Sequence, residues 1–489
     1  MVQFNWFERI AQTIEAYQKN NNSDPHRLQF HLMPAVGLLN DPNGLIQYKG
    51  MYHVFFQWNP FGTAHGSKCW GHSTSQDLVY WQEHKPALVP SEWYEKDGCF
   101  SGSAVEVDGK MILFYTGHVE RGNGKFETYQ CMAVSSNGFD FEKKGPVVLL
   151  PEGYTAHFRD PKVWKRDGTW YMVVGAQTFY EEGAVVLFAS TDLQQWDLKG
   201  ILAGNRFNGL MDFGYMWECP DFFELGGKDI LIVSPQGLKA KNSFYHNAHQ
   251  SGYFVGRWNV GTTEFPHGEF TELDRGFDFY APQTFQDKQG RRIMLGWMGI
   301  TGEQESHLPT IEKGWVHALT MPRELELRKD RIIQKPVPEL KQLREAQGLS
   351  FHSSLKNETK TWPELSGNVE ELKIHFLQNL AGHIKIEIRK NIIISYDQQT
   401  KRLTLVRKRF LDGMVENRSC FLETLEELHI FLDTSAIEVF VNGGEEVFTA
   451  RFFALATDLD VFFTADGHVE LLLEKWNLRN PKHFMNHSV

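Results

Sequence analysis

The sequence predicts an all-β protein: a five-bladed β-propeller followed by a C-terminal β-sandwich. Three observations lead there. A turn glycine followed by an apolar, β-branched or aromatic run occurs five times, at Gly50, Gly109, Gly168, Gly227 and Gly290, spaced 59, 59, 59 and 63 residues apart. Between copies a second element recurs, Ser75-Gln-Asp-Leu-Val-Tyr-Trp81 matching Ser190-Thr-Asp-Leu-Gln-Gln-Trp196, with Ser136–Phe141 as a degenerate version. Downstream, apolar residues alternate at period two without a long helical pattern.

In chain order, Trp6, Ile10, Ile14 and Tyr17 recur at helical spacing and predict an amphipathic helix ending before Asn20, within an N-terminal extension over 1–26. Residues 27–325 hold the five repeats. Each reads as strand, hairpin turn and strand, with room for a four-stranded blade. Lys335–Arg344 reads as a proline-initiated short helix in a connector over 326–348. Over 349–489, Ile384, Ile386 and Ile388, then Ile430 and Leu432, then Ile437, Val439 and Val441 mark strands, with Asn442-Gly443 as a hairpin turn.

Composition excludes several classes. A formal charge of −11 without a Lys/Arg run argues against nucleic acid. Five scattered cysteines (Cys69, Cys99, Cys131, Cys219, Cys420) form neither a disulfide framework nor a ligand set, so no metal or cofactor is expected. No apolar stretch approaches a membrane span and no leader pattern is visible, so a cytoplasmic location is expected. The expected partner is a small molecule; the oligomeric state is left open. An aromatic fraction of 13% suits β-cores and the apolar faces of sugars.

The repeat also locates a site. Beginning eight to ten residues before each turn glycine stand Asn40-Asp41-Pro42, Ser101-Gly102-Ser103, Arg159-Asp160-Pro161, Glu218-Cys219-Pro220 and Tyr280-Ala281-Pro282. Equivalent positions in successive blades lie at one height around the channel. Asp-Pro also opens ordinary turns. Three acids at matched offsets beside Arg159, however, point to Asp41, Asp160 and Glu218 as a catalytic set, because clustered carboxylates are costly. Glycosidic bond cleavage uses such a set: one carboxyl protonates the leaving oxygen and another acts on the anomeric carbon.

At these residues the chain resembles glycoside hydrolase family 32, the invertase, levanase and inulinase family. The matching motifs are Asn40–Gly44, Gln57–Pro60, Trp70-Gly71-His72, Phe100–Ser103, Arg159–Pro161, Glu218–Pro220 and Met321–Leu325. The resemblance implies a five-bladed propeller with a β-sandwich and a retaining β-fructofuranosidase reaction. Asp41 would be nucleophile, Glu218 acid/base and Asp160 the stabiliser of the transition state. It also implies that Asn40, Gln57, Phe100, Ser101, Arg159, Tyr280 and Trp297 line the fructosyl subsite. Departures from the family pattern at Leu38, Leu39 and His65 are expected to border the pocket. Within the family the chain is most similar to bacterial sucrose-6-phosphate hydrolases. That implies cationic groups for a phosphate, with His65, Lys68, Lys239, Lys241, His246 and His307 as candidates. A fructan exo-hydrolase, a fructosyltransferase and a non-catalytic sugar-binding propeller are the alternatives.

Two expectations concern the carboxylates. A retaining mechanism places Asp41 and Glu218 about 5–5.5 Å apart. It also requires Glu218 to be raised in pKa while Asp41 is held lower.

Overall fold

The computed structural model describes residues 5–20, 24–66, 68–299 and 301–480. Five sheets of four or five strands follow one another around a central channel, and a ten-stranded sheet follows them. The inner strands of the blades are Gly37–Tyr48, Gly98–Val107, Tyr154–Arg166, Met216–Leu225 and Tyr280–Gln286. Each touches the next, and the fifth touches the first, so the ring is closed.

The repeat glycines sit where the sequence puts them. Gly50, Gly109, Gly168 and Gly227 have φ between +72° and +83°, each preceded by a residue also at positive φ. These are two-residue hairpins of the primed type, whose twist matches that of paired strands. Gly290 is different. Its hairpin loop holds five residues, 287–291, between Gln286 and Arg292, which accommodates part of the longer final interval.

The Ser-x-Asp element is a capped turn. Asp77 Oδ1 accepts from the amides of Val79 and Tyr80, and Asp192 Oδ1 from those of Gln194 and Gln195. In the degenerate copy the turn begins one residue earlier than expected. Ser135 takes the serine position, and Asn137 Oδ1 accepts from Phe139 and Asp140. An asparagine oxygen accepts as well as a carboxylate does, so the motif survives the change.

The fifth blade runs past the expected boundary at 325. Arg323–Arg328 pairs with Arg292–Met294 and then with Arg331–Pro336, so the connector expected at 326–348 is short. It is a 3-10 turn over Pro338–Leu343. The segment Trp315–Leu319 laces the ring shut: Trp315 and Val316 pair in parallel with Gly37 and Leu38, while Ala318 and Leu319 pair with Met298 and Trp297. The N-terminal helix runs Trp6–Asn20 and lays Trp6, Ile10, Ile14 and Tyr17 against the core shared by blades 1 and 5.

The C-terminal strands form one hydrogen-bonded sheet folded into two layers. Val461–Asn477 pairs along its length with Leu349–Thr361, and its other edge serves His383–Ile388 and then Glu370–Asn379. Ile386, Ile394 and Leu405 from one layer meet Ile374, Ile430 and Val439 from the other in a single core. Ala436–Val441 is buried on both faces, because its second face meets the propeller. There, fully buried Arg323 donates to Glu438, Asp274, Thr449 and Gln334. His31, just before blade 1, bridges Asp433 at 2.8 Å and Glu438 at 3.1 Å.

Candidate active site

All five inner strands carry the same defect. Between Leu39 and Pro42, Phe100 and Gly102, Arg159 and Lys162, Glu218 and Asp221, and Tyr280 and Gln283, the inner strand has one residue more than its partner. A one-residue bulge breaks the alternation of the pleat and re-aims side chains. Asp160, Cys219 and Ala281, the middle residues of three of the triplets, take φ of +70°, +48° and +47°. At each bulge a side chain that a regular strand would direct into the blade turns toward the channel.

The result is a cavity of about 640 Å³ at one mouth of the channel. Asp41, Asp160 and Glu218 line it together with Asn40, Gln57, His65, Phe100, Ser101, Arg159, Tyr280 and Trp297. Two of the carboxylates, Asp41 and Asp160, meet at Cys219. Its amide donates to Asp160 Oδ2 at 2.9 Å, and its Sγ lies 3.5 Å from that atom and 3.7 Å from Asp41 Oδ2. Ser101 Oγ donates to Asp41 Oδ2 at 2.6 Å, and Asn40 Nδ2 to Oδ1 at 3.1 Å. Glu218 receives four donors: Arg159 Nε and Nη2 on Oε1, and Gln236 Nε2 and Tyr280 Oη on Oε2.

These contacts reverse the expected order of protonation in the free site. Burial raises the Glu218 pKa, but the Arg159 guanidinium and the hydrogen bonds from Tyr280 and Arg159 outweigh it and hold the carboxyl below its ordinary value. Asp41 is raised: burial and the neighbouring Glu218 charge outweigh the bonds from Ser101 and Asn40. Asp160 is raised to about 7 by burial, with Glu218 and Asp41 adding to it against Arg159. The sequence could not reveal this, because it depends on which carboxylate the single arginine reaches.

Other expectations are also corrected. Leu38 and Leu39 do not border the cavity. Leu38 packs with Leu308 and Val316, and Leu39 joins the core around Leu295 and Trp58. They precede the bulge and keep the regular inward packing of the strand. Lys68 does line the cavity, but as a buried group: its Nζ donates to Asn40 Oδ1 at 2.6 Å and lies 3.2 Å from His65 Nδ1, and burial lowers its pKa to about 8. Lys239, Lys241, His246 and His307 do not line the cavity among the described residues. His246 instead faces a neighbouring cavity with Arg407, Arg409 and Arg418 of the sandwich. His65 alone of the departures lies in the site. Its Nε2 is 3.1 Å from Glu305, and its ring meets Trp297 edge-on.

A family model described as "Glycosyl hydrolases family 32 N-terminal domain" matches residues 31–336, and one described as "Glycosyl hydrolases family 32 C terminal" matches 339–478. The chain belongs to glycoside hydrolase family 32. Among curated family 32 relatives, a sucrose-6-phosphate hydrolase of Bacillus subtilis (strain 168) is 50% identical over 96% of this chain and 98% of its own length. Among solved structures, a sucrose-6-phosphate hydrolase of Lactobacillus gasseri superposes with a TM-score of 0.85 at 32% identity, covering 96% of this chain and 97% of the other. A family 32 β-fructofuranosidase of Bombyx mori gives 0.83 at 32% identity, over 97% and 98%.

Gln236, His249 and Thr301 are among the lining residues of this family 32 site that sequence reasoning missed. Gln236 follows the apolar run of its repeat directly, where a strand leaving the core emerges at the channel mouth, and that position was its only signal. His249 and Thr301 lie in irregular loops, which carry no periodicity to read.

Proposed function

We propose that this chain is a retaining β-fructofuranosidase that hydrolyses sucrose 6-phosphate, with Asp41 as nucleophile, Glu218 as acid/base and Asp160 as transition-state stabiliser. The observation that carries the reading is the meeting of three carboxylates from three blades in one cavity, two of them against Cys219. Asp41 attacks the fructosyl anomeric carbon as Glu218 protonates the departing oxygen. The covalent fructosyl-enzyme is then opened by water that Glu218 deprotonates. Asp160 places charge beside the oxocarbenium-like centre and accepts from ring hydroxyls.

Glu218 is held ionised by Arg159 and Tyr280 in the free site, so its acid role requires substrate to displace or share those donors. The buried indole Nε1 of Trp297 has no partner among the described residues, which leaves it free for a substrate hydroxyl. The names of the family 32 relatives support the phosphorylated substrate, and we assign its phosphate to His65, the departure that lines the cavity. No helix among the described residues is long and apolar enough to cross a membrane. A phosphorylated disaccharide does not diffuse through a bilayer, so we place the reaction in the cytoplasm, where such a sugar is retained.

One purified sample assayed on sucrose, sucrose 6-phosphate and levan tests the reading. The expected order of kcat/KM is sucrose 6-phosphate, then sucrose, then levan, with the first-formed fructose in the β configuration by NMR. Equal kcat/KM on sucrose and its phosphate makes the chain a plain invertase. An inverted anomer removes the nucleophile assignment.

A further inference from the structure

The five inner strands enclose a second cavity at their other ends. The carboxylate site uses the first half of each strand. The second halves, Leu45–Gln47, Ala104–Glu106, Lys162–Arg166, Phe222–Glu224 and Thr284–Gln286, line a cavity of about 530 Å³. Along the strands between the two lie buried Asp221 and Lys162. Lys162 Nζ donates to the Thr284 carbonyl at 2.6 Å and stands 3.1 Å from Asp221 Oδ1.

This far mouth is cationic in a chain whose formal charge is −11. Of its lining cations, Lys162 is taken by Asp221 and Arg166 by Asp229. Of its acids, Asp287 is taken by Arg291, and Glu224 lies at 3.8 Å from Arg166. Arg292, Lys165 and Lys288 remain against Glu106. Arg292 is the telling residue. Its guanidinium carbon sits 4.5 Å from the centre of the Phe223 ring, and its Nε is buried without a hydrogen-bond partner among the described residues. Burial lowers its pKa and Asp221 opposes that shift. A buried guanidinium with an unmet donor is costly, and its planar fork matches a phosphate.

We propose that this distal mouth is a second binding site, for a small phosphorylated sugar, with Arg292 and Lys165 holding the phosphate. The space is several times that of a phosphate ion, and it lies in the range that receives whole small molecules. Trp164 lines the same space beside Arg292 and Lys165 and supplies aromatic surface for a sugar ring. The inference does not depend on the reaction assigned to the carboxylate site, which lies at the other ends of the strands.

Ribose 5-phosphate is the probe, and dependence of its binding on Arg292 distinguishes the distal mouth from the carboxylate site. Calorimetric titration of the full chain is expected to give tighter binding of the ester than of ribose or inorganic phosphate. R292Q should weaken it at least tenfold and K165Q severalfold, with thermal unfolding unchanged. Ester binding no tighter than inorganic phosphate makes this an adventitious ion only and overturns the proposal, as does affinity unchanged in R292Q. If R292Q does not fold, K165Q decides, because Lys165 is exposed; unchanged affinity there overturns the proposal equally.

Discussion

Arg159 and Glu218, carried by the inner strands of neighbouring blades, meet through two nitrogens on one oxygen: Nε at 3.0 Å and Nη2 at 2.6 Å from Oε1. The arginine therefore sets the protonation of the proposed acid. In R159Q the Glu218 pKa should rise, because burial then acts with less positive charge against it. Carboxyl 13C titration, assigned with E218Q, reads this directly, and a lowered Glu218 pKa refutes it. The rate should fall by about a hundredfold at the optimum, the usual cost of one preorganised donor.

Asp160 links the site to stability. Its folded pKa of about 7 lies above its unfolded value, so the folded chain holds a proton that the unfolded chain gives up. Its contribution is fully present below about pH 4 and is lost as pH rises toward 7. D160N removes that loss. Its melting temperature should exceed that of the unmodified chain at pH 8, by on the order of 1–3 kcal/mol of stability, and converge with it near pH 4. A gap that widens toward acid would contradict the assignment.

The division of labour between Asp41 and Glu218 can be separated by leaving group. E218Q should lose about 10²–10⁴-fold in kcat on sucrose, whose leaving oxygen needs a proton. On a p-nitrophenyl fructofuranoside, whose leaving group needs none, it should form the covalent intermediate at near-normal speed, seen as a burst. D41N should show no burst on either substrate. A burst from D41N would sink the nucleophile assignment.

Phosphate selectivity should reside at His65. H65A is expected to lose ten- to a hundredfold in kcat/KM on sucrose 6-phosphate while largely sparing sucrose, the worth of one charge-assisted contact at about 1.5–3 kcal/mol. K241A should change neither, since Lys241 is exposed and does not line the cavity. Equal loss on both substrates in H65A places the phosphate elsewhere.

The repeat made the propeller legible, because a blade needs the same turn at the same interval and glycine is the residue that permits it. The matched triplets located the carboxylates for the same reason: a bulge at one height in every inner strand leaves a pattern in sequence. Leu38 and Leu39 misled because the family pattern puts their positions at the pocket, whereas here both side chains pack into apolar clusters just ahead of the bulge that holds Asp41. Lys68 lines the cavity as its candidacy required, but its burial was not legible. A lysine in a loop reads as a surface charge, and only the fold reveals that Asn40 and His65 consume its donors. The pKa order among the acids was hidden because desolvation and pairing compete within a few ångströms, and no spacing in the chain encodes that balance.

The junction between the two parts of the chain has a consequence for how they can be handled. Arg323 and His31 of the propeller side find their compensating charge on Asp433 and Glu438 of the sandwich, where all four side chains are out of solvent. Excising the sandwich would strip His31 of both its acids and leave Arg323 with Asp274 alone, and removing one partner of a buried pair costs about 3–5 kcal/mol. The sandwich is in effect the propeller's counter-ion, and the catalytic ring is not a portable module.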